Sequence, residues 1–288
     1  MGWVPFKGTI WFFPRLNQFF EFAFSGPRYL LLFFALESPI AIGMRFGVFE
    51  SIPKFAGREM ARRIIIAIDG PSGSGKSTVG RRLAERLGYR YLDTGAMYRV
   101  AAVEAKELSI DIDDEAGLAR ICSQMEIVFV QEGDEIKTFC NDKDVSEAIR
   151  KPEISALASQ ISTKKAVRSI LAEMQRMMGA GGGVVAEGRD MGTVVFSGAE
   201  LKFFLDSTPE ERGRRRFKEL MEKGMRVNLE ETIAEMRIRD QRDRKRKLSP
   251  LRRAKDALVV DSTHMTVEEV LEKMLREARR QISEGQSC

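Results

Sequence analysis

The stretch from Ile64 to Leu87 constrains this chain more than any other. Ile64, Ile65, Ile66 and Ile68 with Ala67 form a short β-branched apolar run that cannot continue past Gly70-Pro71, so it reads as a buried strand. Gly70-Pro71-Ser72-Gly73-Ser74-Gly75-Lys76-Ser77 follows at once and fits a phosphate loop, in which Gly, four residues and Gly-Lys precede a Ser or Thr. Val79, Leu83 and Leu87 then recur at helical spacing until Gly88 ends the helix. Motif and flanking elements agree, which argues against a chance glycine-rich turn.

The residue types follow from the chemistry of phosphate. Several backbone N–H groups must meet the oxygens together, which favours Cβ-free positions at Gly70, Gly73 and Gly75 and a helix N-terminus aimed at the anion. Lys76 supplies a charge for the β- and γ-phosphates, and the Ser77 hydroxyl can ligate Mg²⁺.

At 288 residues the chain exceeds the usual single domain, so one compact domain with an insertion or a tail is expected. The formal net charge of +5 suits an anionic partner such as a nucleotide, nucleic acid or membrane surface, but the excess is small for a nucleic-acid binder. Cys122, Cys140 and Cys288 show neither metal spacing nor the density of a disulfide scaffold, and read as reduced thiols of a cytoplasmic protein. The single histidine, His264, lies outside every glycine-rich or arginine-rich motif, which disfavours chemistry that needs a His base or His ligands.

Residues 1–59 differ from the rest, holding most of the 18 Phe and both Trp. Their aromatic clusters are broken by Pro14, Pro27, Pro39 and Pro53, and no helical period survives. The longest apolar run, Tyr29 to Leu36, falls far short of the roughly 18 to 20 residues that span a bilayer. The favoured reading is an extension upstream of a true start at Met60, either non-native or disordered. A membrane-surface anchor and an extra subdomain remain as alternatives.

Beyond the phosphate-loop helix, Tyr89 to Leu92 reads as a second strand, and Asp93 or Thr94 can cap the helix that follows. Ile127 to Val130, a turn at Gln131 to Asp134, and Ile136 to Cys140 signal a hairpin inserted in an α/β chain. One helical stretch, Pro152 to Met178, carries Ser159 and Arg168. Val184 to Glu187 reads as a buried strand leading into Gly188-Arg189-Asp190, where adjacent Arg and Asp suit a polar ligand or an internal ion pair. Leu201 to Leu205 and the segment around Val259-Val260 supply two more strands, and Thr266 with Glu269 forms a capping box for the last helix.

The most charged part of the chain lies between those last two strands. Arg212, Arg214, Arg215 and Arg216 precede a turn near Gly224, and a second helix carries Arg237 to Arg246. Such a run is commonly a solvated face. Here Arg239, Asp243 and Arg246 fall at i, i+4 and i+7, so one helix face is expected to present two guanidinium groups around a carboxylate, as a lid over phosphates would.

From about Arg63 to Ile282 the chain resembles the bacterial-type cytidylate kinases, which are nucleoside monophosphate kinases. The residues that carry the likeness are IDGPSGSGKST, LDTGAMYR, EGRDMGTVVF, RIRDQRDRKR and ALVVDST, in that order. The resemblance implies a P-loop α/β fold over residues 60–288, with a five-stranded parallel sheet in order 2-3-1-4-5. It also implies a monophosphate-binding insertion over about 119–180 and an arginine-rich lid over about 208–250. The implied reaction transfers the γ-phosphoryl group of ATP, with Mg²⁺ on Ser77, to CMP or dCMP in pyrimidine nucleotide metabolism.

By resemblance, ATP phosphates sit on Gly70, Pro71, Ser72, Gly73, Ser74, Gly75, Lys76, Ser77 and Thr78. Thr94, Ser159, Arg168 and Asp190 read the cytosine; Arg99, Arg189 and Arg246 hold the CMP phosphate; Arg239 and Asp243 face the ribose. Lys76, Arg189 and Arg246 are the implied catalytic residues. Thr94 stands where Ser is common in the family and Glu187 where Asp is common, each keeping the functional group. A cytoplasmic monomer is implied, with neither a nucleic-acid partner nor a stable membrane association. Two other classes stay open on the residues alone: a basic protein that lays its 212–247 helices on a nucleic-acid backbone, and a regulatory P-loop protein that binds nucleotide without transferring it.

Overall fold

The computed structural model describes residues 63–132 and 135–284, together with 22–24 and 30–32. It divides into two units, Met1–Met60 and Ala61–Cys288. In the first, strands β1 (Phe22–Phe24) and β2 (Leu30–Leu32) pair antiparallel with Phe22 opposite Leu32. The rest of the expected extension lies outside the described residues.

The second unit is built around β3 (Ile65–Asp69). Its run is apolar up to Asp69 because both faces are covered. Ile64, Ile66 and Ile68 pack with Val79, Leu83, Leu271 and Met274 on one side, while Ala67, supported by Ile65, joins Met97, Val100 and Leu118 on the other. Helix α1 (Lys76–Leu87) follows the phosphate loop and stops where Gly88, at φ 64°, turns its N–H back to Ala84 and Glu85 carbonyls. Then come β4 (Arg90–Asp93) and α2 (Thr94–Glu107), which Asp93 caps by accepting from Ala96 N at 2.9 Å.

After α3 (Glu115–Gln124), the expected hairpin is a three-stranded antiparallel sheet of β5 (Ile127–Glu132), β6 (Glu135–Cys140) and β7 (Lys143–Asp144). The extra strand exists because Asn141 and Asp142 both take positive φ, 47° and 66°, and reverse the chain within two residues. The single helix expected over Pro152 to Met178 is also two, α4 (Pro152–Ile161) and α5 (Lys165–Gly179). Ser162 and Thr163 bond their hydroxyls back to the Ser159 and Gln160 carbonyls, and Arg168 donates to the Ser162 carbonyl that the break leaves over.

The chain re-enters the main sheet through β8 (Val184–Gly188), makes a π-helical turn at Met191–Val195, and continues as β9 (Leu201–Asp206). Helices α6 (Pro209–Glu222) and α7 (Leu229–Lys245) follow, then β10 (Leu258–Asp261) and α8 (Val267–Glu284). Thr266 and Glu269 form the expected reciprocal cap on α8. The five parallel strands lie side by side as β4, β8, β3, β9 and β10, which in chain order is 2-3-1-4-5. The order changes direction at β3, which places a crevice at its carboxyl end, directly over the phosphate loop.

One core position invites a stability test. Gln175 of α5 is fully buried, and neither of its amide atoms has a hydrogen-bond partner among the described residues. A methionine of similar shape removes that desolvation cost, so Gln175→Met is expected to stabilise the protein by about 1 to 3 kcal/mol. The denaturant midpoint should rise at unchanged slope; a lower midpoint would show that the amide is satisfied and needed.

Candidate active site

Gly70 is obligatory for a steric reason: a Cβ there would stand 2.0 Å from the Leu205 carbonyl oxygen on β9. Gly75, at φ 94°, occupies a left-handed conformation and starts α1. The loop carbonyls are held from behind. Pro71 O accepts Lys76 Nζ at 2.6 Å and Ser74 Oγ at 3.0 Å, Ser72 O accepts Arg212 Nη1 at 3.0 Å, and Ser74 O accepts Ser262 Oγ at 3.1 Å. Arg212 is 1% exposed, is tied to Ser207 O and pairs with Asp240 of α7 at 2.5 Å, so it serves the loop's back wall.

The loop opens onto a cleft of about 1140 Å³. Ser72 to Thr78 line it, and so do Thr94, Arg99, Ser159, Arg168, Arg189, Asp190, Arg239, Asp243 and Arg246, which the chain brings in from α2, α4, α5, the end of β8 and α7 with its C-cap. Gly70 and Pro71 sit behind the lining and shape the loop instead. Eleven Lys or Arg against six Asp or Glu face the cleft, which favours a polyanion.

Two ion-pair systems organise its far wall. Arg168 Nη2 meets Asp190 Oδ2 at 2.5 Å, the Arg168 Cζ lies 5.6 Å from the centre of the Tyr98 ring, and Asp190 is shared with Arg246 at 3.6 Å. Arg189 Nε meets Asp243 Oδ2 at 2.8 Å. This corrects the expected helix face. Asp243 pairs across the cleft with Arg189, and Arg246 has already left α7: it is the C-cap, at ψ 140°, with Nε on Ser249 O at 2.5 Å. Arg239 keeps a buried Nε without a hydrogen-bond partner among the described residues. Burial, then neighbouring Arg189, lowers its pKa to about 10.

Polar partners of the remaining predicted residues are specific. Thr94 Oγ1 donates to Glu187 O at 2.6 Å, which leaves its lone pairs to accept. Ser159 Oγ accepts from Arg242 of α7 at 3.2 Å, and Arg99 pairs with Asp93 at 2.8 Å. Burial and the nearby Arg189 push the Lys76 ammonium down to about 7, a shift that an anionic ligand would oppose.

Sequence reasoning assigned no site role to several members of this lining. Glu187, buried with its carboxyl pKa raised by burial and then by Asp93, accepts from Tyr91 Oη at 2.5 Å and lines the cleft together with Ser77. A Ser hydroxyl beside a carboxylate is a hard-oxygen set that fits Mg²⁺. Arg215, Arg216 and the segment Ser262 to Val267 line the opposite end. The crowding of arginine at 212–216 was the signal for the first two; in 262–267 the sequence showed only the end of ALVVDST and the Thr266 cap, neither of which pointed to a ligand.

The family model for cytidylate kinase matches residues 66–280. The cytidylate kinase of Geobacter sp. (strain M21) is 50% identical over 222 residues, spanning 77% of this chain and 95% of its own length. That of Syntrophotalea carbinolica is 54% identical over 217 residues, with 75% and 92% covered. That of Vibrio cholerae is 45% identical over 212 residues, with 74% and 94% covered.

Proposed function

Since the chain belongs to the cytidylate kinase family, we infer that its cleft transfers the γ-phosphoryl group of ATP to CMP, giving CDP and ADP. The observation that carries this reading is the gathering of two sets of cationic groups in one cleft: the Lys76 loop, and the Arg189 and Arg246 guanidinium groups. The transition state of this transfer is loose, with charge spread over oxygens, so positioning and neutralisation suffice. The acceptor oxygen is already anionic. A chain whose only histidine is His264 can therefore do the chemistry without a His base.

Lys76 would neutralise charge on the transferring phosphoryl group, while Arg99, Arg189 and Arg246 hold the acceptor phosphate and Arg239 with Asp243 face the ribose. Ser77, supported by Glu187, would hold Mg²⁺, which would supply charge neutralisation for the phosphates. Thr94 can only accept toward the cleft, because its proton is committed to Glu187 O. Together with Asp190 it suits the amino donor of cytosine, with Arg168 and Ser159 completing the base site. The same contacts admit dCMP. Enclosure by α6 and α7 would keep water from taking the phosphoryl group.

We place the catalytic unit in residues 60–288, with the insertion over about 119–180 and the lid over about 208–250, in a cytoplasmic monomer. No helix among the described residues is long and apolar enough to cross a membrane. A nucleic-acid partner has little support, since Arg212, Arg214, Arg215, Arg216 and Arg237 are all paired with carboxylates. The deciding assay is coupled ADP release with ATP and Mg²⁺ against a panel of nucleoside monophosphates. CMP should be the fastest acceptor, and absence of CMP-dependent ADP release would refute the assignment.

A chain starting at Met60 is expected to fold and keep full kinase activity, because the strand, loop and helix that hold the nucleotide all lie beyond that point. Loss of fold or turnover in that shortened chain, alongside an active full chain, would make residues 1–59 a necessary part of the enzyme.

A further inference from the structure

We propose that Asp69, outside the phosphate-loop motif, is a positioning residue that aligns the acceptor half of the cleft with the donor half; the inference rests on the reading of Arg189 and Asp190 as acceptor-side residues. The geometry is a loop closed by one side chain. The backbone of Asp69 forms the last register position between β3 and β8, opposite Gly188. Its carboxylate then reaches past the two residues that follow Gly188: Oδ1 accepts Met191 N and Oδ2 accepts Gly192 N, both at 2.8 Å.

Arg189 and Asp190 are therefore a two-residue bulge pinned at both ends by Asp69. The bulge is an unusual conformation to hold. Asp190 sits at φ −147° and ψ 24°, and its carbonyl accepts from both Val194 N at 2.9 Å and Val195 N at 3.1 Å at the start of the π-helical turn. From this bulge Arg189 reaches Asp243 and Asp190 reaches Arg168 and Arg246, so three of the acceptor-side arginines are aimed through it.

Asp69 is 3% exposed and has no ion-pair partner within 4 Å among the described residues. Burial raises its pKa to about 6 and the two amide bonds hold it down, so near neutral pH it is a carboxylate whose nearest compensation is those two N–H groups. A buried charge spent on a turn needs a reason. The next residue is Gly70, whose loop carries Lys76, so a single residue joins the backbone of the donor site to the turn that bears the acceptor arginines. Reacting groups displaced by about 1 Å can lose about 10²-fold in rate, which makes this joint worth its desolvation.

The test is Asp69→Asn in the full chain, with titration calorimetry of CMP and of ATP separately beside steady-state kinetics. Asparagine offers one acceptor oxygen and turns an amide N–H toward the other donor. The affinity and KM for CMP should weaken about 10- to 100-fold, while those for ATP stay close to the parent. Equal weakening for both nucleotides, or none, overturns the inference. Arg189→Ala, run in parallel, separates the two failures. If it is CMP-selective while Asp69→Asn is not, only the Asp69 inference falls; if it leaves CMP binding unchanged, the acceptor-side reading falls and takes this inference with it. Asp69→Ser, which leaves room for a water, is the second variant should the first not fold. If neither yields folded protein that binds ATP, Asp69 is a stability residue and the inference is wrong.

Discussion

Replacing Lys76 with alanine is expected to lower kcat by about 10² to 10³, or roughly 2.7 to 4 kcal/mol of transition-state stabilisation, while the protein stays folded. The lysine is 5% exposed, and its ammonium rests on Pro71 O at 2.6 Å and Ser74 Oγ at 3.4 Å, so it is held within the loop before any phosphate is engaged. Truncation removes a buried cation close to Arg189 and Arg239, two other cations that lower its pKa, so the folded state loses repulsion together with two hydrogen bonds. Stability should therefore change little even as turnover falls. Rapid-quench measurement of the chemical step, with thermal unfolding alongside, checks both parts. Turnover within about twofold of the parent would remove Lys76 from the reaction.

The phosphate loop was legible because each of its demands is local: a buried strand, close backbone approach, one cation and a helix start within two turns of chain. The capping box at Thr266 and Glu269 was legible for the same reason. Contacts between distant segments were not. Spacing on α7 put Asp243 between Arg239 and Arg246, whereas its carboxylate is taken by Arg189, 54 residues away, and the chain turns off the helix axis at Arg246. The apolar rhythm of Ile154, Ala158, Ile161, Val167 and Leu171 continues toward one core through the gap between α4 and α5. Periodicity therefore hides a break that side-chain bonds from Ser162 and Thr163 make. That break matters to the site, since it lets Ser159 and Arg168 reach the cleft from two helices. Asp69 escaped notice because an acid at a strand end carries no sign of the turn it will hold.

Asp190→Ala should have two separable effects, one on stability and one on choice of base. The carboxylate and its Arg168 partner are 5% and 8% exposed at the side chain, and Arg246, at 6%, shares the same acid. Removing the acid leaves two guanidinium groups buried without it, and breaking a pair of this kind typically costs about 3 to 5 kcal/mol, so the unfolding temperature should fall clearly. Asp190→Asn keeps one acceptor oxygen for Arg168 and should lose less. Base choice follows from hydrogen-bond polarity. Cytosine presents an amino donor where uracil presents a carbonyl, so a carboxylate beside a fixed guanidinium pairs with the first and opposes the second. Without Asp190 the preference for CMP over UMP should shrink by about 10- to 100-fold, the range expected when one buried group goes unpaired. The ratio of kcat/KM for the two nucleotides, measured below the new unfolding temperature, reads this directly. A proportional loss for CMP and UMP would leave Asp190 as the counter-ion of Arg168 and Arg246 and place base discrimination on Thr94, Ser159 and Arg168 alone.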